Sequence, residues 1–170
     1  FIFGTVPFTL VDVQFSKSNP LFGCFAASNG NIYTATLSPS GGSYTVSSGI
    51  LVSGTTPYPI RAIHLFENNK VMAVGENNYV GYWNGSSWQN FSPTVTATPN
   101  PTFNDVFFHD DKVGYVVADD GVILRSVNAT ITPANHTITA IDFEVKNVID
   151  EIIDDTADVN IQCIAFGSRY

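Results

Sequence analysis

The side chains in this sequence best equipped for chemistry are its carboxylates. Fifteen Asp and Glu face seven Lys and Arg in 170 residues, a formal net charge of −8. Glu76, Asp119 and Asp120 stand in turn-like sequences. Asp150, Glu151, Asp154, Asp155 and Asp158 crowd into NVIDEIIDDTADVN at 147–160. Grouped carboxylates suit a hard cation, Ca²⁺ above all, or a protein partner with basic residues. The D-x-D-x-D-G loop that would specify calcium is missing. The same stretch also reads as a short helix, with Val148, Ile149, Ile152 and Ile153 along one stripe and solvated acids opposite. No other cofactor is expected. The acidic balance argues against nucleic acid and anionic membrane surfaces, which require Lys/Arg stripes. No apolar run approaches the roughly 18 residues needed to span a bilayer.

Other candidate groups are sparser. Trp83 and Trp88 flank Asn84-Gly85-Ser86-Ser87. Two indoles beside amide and hydroxyl groups could stack on a sugar ring, or both could pack along the outer edge of a sheet. His64, His109 and His136 form no H-x-x-x-H ligand pair, and each reads as a structural or solvated imidazole. No Ser/His/Asp arrangement is legible, and the glycines lie in turns rather than in a phosphate-binding loop. Cys24 and Cys163 each sit in an apolar run. Both are expected as small buried hydrophobes, with a disulfide as the other option. Neither a zinc site nor a CxxC motif can be built from them. Asn84, Asn90, Asn128 and Asn135 stand in N-x-S/T sequons, which permit a secreted location.

These groups ride on a repeat. AIHLFENNKVMAVGENNYVGYW (62–83) lies without gaps over DVFFHDDKVGYVVADDGVILRS (105–126). Apolar meets apolar at Ile63/Val106, Leu65/Phe108, Val74/Val117 and Val80/Ile123. A further copy starts at Asp12 and another at Cys163. Within each copy, short β-prone runs are separated by Gly, Asn and Asp turns, which predicts strands joined by hairpins. The first unit is predicted to hold Phe8–Phe15, Phe22–Ala27, Asn31–Leu37 and Ser43–Val52. The second holds Ile60–Phe66, Lys70–Gly75, Tyr79–Trp83 and Ser87–Phe91. The third holds Phe103–His109, Lys112–Ala118, Val122–Ser126 and Thr137–Val145, with a loop over Val127–His136. Many strands are apolar on both sides, so each sheet should be covered on both faces. Four short antiparallel strands in each repeat of roughly 40 to 60 residues is the pattern of a β-propeller blade.

The segments DVFFHDDKVGYVVADDGVILRS and AVGENNYVGYWNGSSW resemble the repeats of photosystem-II-assembly-factor-type and sialidase-type (BNR, Asp-box) propellers. Those repeats run from an inner strand ending in aromatics into G-x-A-V-G-D-x-G-x-I-x-R and then a turn like S-x-D-x-G-x-T-W. Here that turn is reduced to Ser38-Pro39-Ser40-Gly41-Gly42-Ser43-Tyr44 and Asn84-Gly85-Ser86-Ser87-Trp88, and the third unit lacks it. The resemblance covers most of Leu10–Ser126. It implies the fold; propeller repeats serve too many tasks to imply an activity. A sialidase-type enzyme would carry three arginines clamping a carboxylate, a Tyr nucleophile with a Glu partner, and an Asp acid. The chain offers Arg61, Arg125 and Arg169, with Arg125 where such repeats commonly hold a structural arginine. An assembly factor of the photosystem-linked kind would carry a basic central patch, which this acidic chain does not supply.

The expected architecture is all-β, a partial β-propeller of four-stranded antiparallel blades with a short helical acidic insert. It forms one propeller segment over 1–170. Blade-like units span about 8–52, 60–91 and 103–145, with 146–159 as the insert and 160–170 opening a further blade. The chain is expected to be part of a longer protein, or one of several copies that complete one another. Up-and-down topology places the turn between second and third strands on the same side as the blade connectors. That side collects Glu76, Asp119, Asp120, Asp150, Glu151, Asp154, Asp155 and Asp158 against Lys146. The other side carries Lys17, Glu67, Lys70, Asp110, Asp111 and Lys112, which nearly balance. The expected function is that of a non-catalytic structural or binding module on a virion or extracellular surface. Its expected partners are other protein subunits, the rest of its own chain, or glycans. The alternative is a fragment of a sialidase-like glycan-processing enzyme.

Overall fold

In a computed structural model, the residues described are 8–40, 43–50, 58–66, 69–93, 95, 100–132, 137–146 and 162–164. They form three four-stranded antiparallel sheets, each ordered as in the chain. Blade 1 comprises β1 (Leu10–Phe15), β2 (Phe22–Ala27), β3 (Ile32–Ser40) and β4 (Ser43–Ile50). Blade 2 comprises β5 (Ile60–Phe66), β6 (Lys70–Gly75), β7 (Val80–Trp83) and β8 (Trp88–Asn90). Blade 3 comprises β9 (Phe103–Phe108), β10 (Gly114–Ala118), β11 (Ile123–Thr132) and β12 (Thr137–Val145). The blades stack through their inner strands, β1 beside β5 and β5 beside β9. The chain is thus a partial β-propeller. The acidic insert and most of 160–170 lie outside the described residues, of which only Gln162–Ile164 represent the fourth unit.

The turns explain why the repeat is written in Asn, Asp and Gly. The turn between second and third strands is Ser28-Asn29-Gly30, Glu76-Asn77-Asn78 and Asp119-Asp120-Gly121 in successive blades. Asn77 and Asn78 adopt φ of 56° and 52°, and Asp120 and Gly121 adopt 57° and 67°. Consecutive left-handed residues are tolerated by Asn, Asp and Gly and resisted by other side chains. Just ahead of these turns, each inner strand bulges at the same place. Register slips at Val11 between Leu10 and Asp12, at Arg61 between Ile60 and Ala62, and at Asn104 between Phe103 and Asp105. The extra residue is turned out of the ladder.

Two predicted turns are strand instead. β3 runs on to Ser40, with Pro39 opposite Tyr44. β11 runs through the expected loop to Thr132, with a slip at Asn128 and Ala129. In both places the strand has outrun its inner neighbour, since β2 pairs with β3 only as far as Thr36 and β10 with β11 only as far as Arg125. A strand with one ladder partner can accept a proline or a bulge that a central strand cannot.

The core lies between blades rather than within them. Cys24, Ala26 and Ile32 of blade 1 meet Ile63, Val71 and Ala73 of blade 2. Met72, Val74 and Tyr82 on the other side of blade 2 meet Val106, Phe108 and Leu124 of blade 3. Alternate residues of the blade 2 strands therefore serve two different interfaces, which is why both of its faces are apolar.

The Phe108 ring lies flat over Gly114, its cross-strand partner, so that a Cβ there would sit 2.5 Å from the ring. Gly114→Ala must displace a ring that is buried between blades. It is expected to cost about 1–3 kcal/mol by overpacking. Denaturant unfolding of Gly114→Ala alone and together with Phe108→Leu checks this, because the second change should restore part of the loss.

Candidate functional site

The polar side chains best placed to act lie on the inner strands, and most are engaged with the next blade. An inner strand is an edge strand, and every second backbone N–H points away from its own sheet. Asp12 Oδ2 accepts the Ile63 N–H at 2.8 Å, and Gln14 Oε1 accepts the Leu65 N–H at 3.0 Å. His64 Nδ1 accepts the Phe108 N–H at 3.3 Å, and Asp105 Oδ2 accepts the Ile164 N–H at 2.8 Å. Asp12, Ala62, Asp105 and Cys163 occupy one repeat position; Gln14 and His64 share the position two residues on. Side chains at these two positions reach backward-facing N–H groups of the following blade. Sequence reasoning missed this network. Its signal was present as D-V-x-F, found at both Asp12–Phe15 and Asp105–Phe108.

Burial shapes the electrostatics of these groups. His64 is buried among Phe66, Phe107 and Phe108. Loss of hydration, aided by the Lys17 charge, pushes its pKa down to about 4, so the imidazole is neutral and its Nδ1 is free to accept. Asp105 is held above the usual carboxylate range by burial. The Ile164 and Val106 N–H groups pull it back, and the Asp12 carboxylate adds to the rise.

Of the acids placed on the connector side, Glu76 and Asp119 are engaged in local contacts. Glu76 forms an ion pair with Arg61 at 2.7 Å. Asp119 Oδ1 accepts from Asn104 Nδ2 at 2.9 Å. Arg61 and Asn104 are the residues that the inner-strand bulges turn out, so one backbone device delivers the same contact in both blades. Asp120 is in the left-handed conformation of the same turn. Among the described residues, no three His, Cys, Asp or Glu side chains gather closely enough to hold a metal ion. Asp150, Glu151, Asp154, Asp155 and Asp158 lie outside the described residues. Lys146, the basic residue of that side, pairs with Glu144 at 2.6 Å.

Trp83 and Trp88 are cross-strand partners with ring centroids 6.0 Å apart. Both are half-buried and pack against the cluster shared by blades 1 and 2. Their indole N–H groups point inward, without a hydrogen-bond partner among the described residues. Between them, Asn84 Oδ1 accepts from Ser86 and Ser87 N–H, and its Nδ2 donates to Ser87 Oγ. The Asn84 amide is thus occupied in closing its own turn. Arg125 is exposed on the third strand of blade 3, whereas Arg61 is at the bulge of blade 2. Arg169 is outside the described residues. Cys24 is buried, and its thiol is pushed up to about 12 by loss of hydration. Cys163 corrects the expectation of two buried cysteines, because it is exposed. It occupies the repeat position of Asp12 and Asp105, and no described blade covers it.

An open groove of about 570 Å³ runs between the outer strands of blades 2 and 3. Asn90, Phe91 and Ser92 line one wall, and Thr139, Asp142 and Phe143 the other. No motif announced it, because its walls come from strands about fifty residues apart that meet only when blades stack.

The sequence matches no family model and no curated protein. Among solved structures, YCF48 from Cyanidioschyzon merolae is similar, with a TM-score of 0.44 at 10% identity. The alignment covers 83% of this chain and 73% of that one.

Two outcomes are expected from the network. Asp12→Ala strands the Ile63 N–H and should destabilise by about 1–3 kcal/mol, while Asp12→Asn keeps an acceptor and should lose less; thermal unfolding of the pair separates these. The second concerns pH. An unfolded histidine titrates near 6.5, so between that value and about 4 the unfolded chain binds a proton that folded His64 does not. The His64 contribution is intact above pH 6.5 and is lost as pH falls through 4, by roughly 3 kcal/mol at most. Asp105, with its raised pKa, acts in the opposite sense in acid. The difference in unfolding free energy between wild type and His64→Gln, followed from pH 7 to 4, therefore isolates the imidazole.

Proposed function

We propose that this chain is a non-catalytic propeller module that builds or binds within a larger assembly, on a virion or extracellular surface. The observation that carries this reading is where the polar chemistry goes. Asp12, Gln14, His64 and Asp105 are committed to backbone N–H groups of neighbouring blades. Glu76 and Asp119 are committed to Arg61 and Asn104. A catalytic site keeps a nucleophile and a proton-transfer group converging on open space. Among the described residues, these convergent groups hold the stack together.

The partners of such a module are other protein subunits, with glycans as a second class at the tryptophan turn. The low density of charge, the polar Asn/Ser/Thr loops and the net charge of −8 suit a soluble face presented to solvent.

The purified chain is expected to leave fluorogenic sialosides and a panel of glycosides intact at high enzyme concentration. Turnover that disappears in Arg61→Ala would replace this proposal with the glycan-processing one. Glycan-array binding lost in Trp83→Ala or Trp88→Ala would assign the sugar contact to the tryptophan turn; binding that survives both changes would remove it from there.

A further inference from the structure

The joints between blades are made with different chemistry. At the first acceptor position, blade 1 offers Asp12 to the Ile63 N–H, whereas blade 2 has Ala62, whose side chain has no acceptor. At the second, blade 1 offers Gln14 to the Leu65 N–H, and blade 2 offers His64 to the Phe108 N–H. Of these two positions, only His64 therefore serves the joint between blades 2 and 3. A carboxamide keeps its acceptor at any ordinary pH, and an imidazole does not.

His64 is 7% exposed. Its ring centroid lies 4.9 Å from that of Phe66 and 5.6 Å from those of Phe107 and Phe108. Because Nδ1 accepts from Phe108, the neutral ring carries its proton on Nε2. A second proton must land on Nδ1. That turns the acceptor into a donor facing the Phe108 N–H and places a cation among three phenyl rings. The strands packed on β5 bring little to compensate it. Asp12 of β1 is engaged with the Ile63 and Val13 N–H groups, and Asp105 of β9 with those of Ile164 and Val106. β2 brings the buried thiol of Cys24, and β6 brings Lys70, itself a cation. On β5 itself, Arg61 is paired with Glu76. The charge that acts on His64 is Lys17, in the turn after β1, and it opposes protonation.

We propose that His64 makes the joint between blades 2 and 3 acid-labile, so that falling pH parts these two blades while the Gln14 contact between blades 1 and 2 stays closed. Parting of one joint is a local opening that lies below global unfolding in free energy. In the open joint the imidazole is hydrated and titrates near its ordinary 6.5, whereas in the closed joint burial holds it down to about 4. Above 6.5 both forms are neutral, and opening does not depend on pH. Between 6.5 and 4 the open form binds a proton that the closed form does not. Opening then grows about tenfold per pH unit, to roughly 300-fold in all, and levels off below 4. Asp105, held above its usual range, acts in the opposite sense. The device belongs to the fold and does not depend on what the module binds.

The test is native-state amide hydrogen exchange, read by NMR on the full chain from pH 7 to 4. Each rate is divided into the intrinsic exchange rate at the same pH to give a protection factor. Protection of the Phe108 amide is expected to fall about tenfold per pH unit below 6.5, while that of Leu65 stays level. His64→Gln keeps an acceptor, retains Asp105 and removes the imidazole, so Phe108 protection should stay level in that variant. Level protection at Phe108 in the wild-type chain overturns the proposal. An equal fall at Leu65 also overturns it, because that is global unfolding rather than the parting of one joint. A fall that persists in His64→Gln assigns the lability to another group and overturns it as well. If His64→Gln does not fold, the comparison of Phe108 with Leu65 in the wild-type chain decides. Each of these failures leaves the non-catalytic reading standing, and sialoside turnover would remove that reading without altering the exchange result.

Discussion

The open edge of each inner strand is the constraint on which the rest of this structure depends. A four-stranded blade pairs every strand except on its two outer edges, and its innermost edge faces the other blades. Backbone N–H groups there must find acceptors or carry a desolvation penalty of about 1–3 kcal/mol each. The chain solves this with side chains rather than with a fifth strand. Residues whose side chains point to the following blade supply oxygen or nitrogen, and residues whose N–H groups point back receive it. Because side-chain direction and N–H direction both alternate with period two, one strand can play donor to its predecessor and acceptor to its successor.

That arrangement decides the fate of the ionisable groups. Asp105 accepts two N–H groups and is nevertheless held above its ordinary range, so burial outweighs hydrogen bonding there. His64 is driven toward neutrality, the form in which its ring nitrogen can accept. Perturbed titration of this kind often marks an active site. Here it marks the joints between blades, and the geometry distinguishes the cases: His64 and Asp105 each aim at a backbone amide of the next blade rather than at a cleft. The exposed ion pair of Arg61 and Glu76 adds little by comparison, since surface pairs contribute about 0–1 kcal/mol.

The bulge beside each inner strand links fold and surface. One extra residue in three successive blades turns Val11, Arg61 and Asn104 out of the ladder. In blades 2 and 3 that residue meets the acid of the adjoining turn. An acidic face inferred from loop positions alone is therefore partly neutralised and partly hydrogen-bonded within itself.

How much of this was legible depended on range. Alternating apolar runs, Asn-Asn and Asp-Gly turns and the gapless register of 62–83 on 105–126 encode strands and hairpins locally, so β2, β5, β6 and β12 match their predicted limits. The same local logic failed at Pro39 and Asn128, because turn residues also fit a strand that has lost one neighbour. It failed for Cys163 because burial belongs to the interface and not to the run of apolar letters. Aspartates and a histidine inside strands looked unassigned in the sequence, for no local pattern says which amide fifty residues away will need them. The repeat, the strands and their two-sided apolar faces are local properties, since they follow from periods of two and from turn chemistry. Which polar side chains serve as joints is settled by the order in which blades stack, which no local pattern carries.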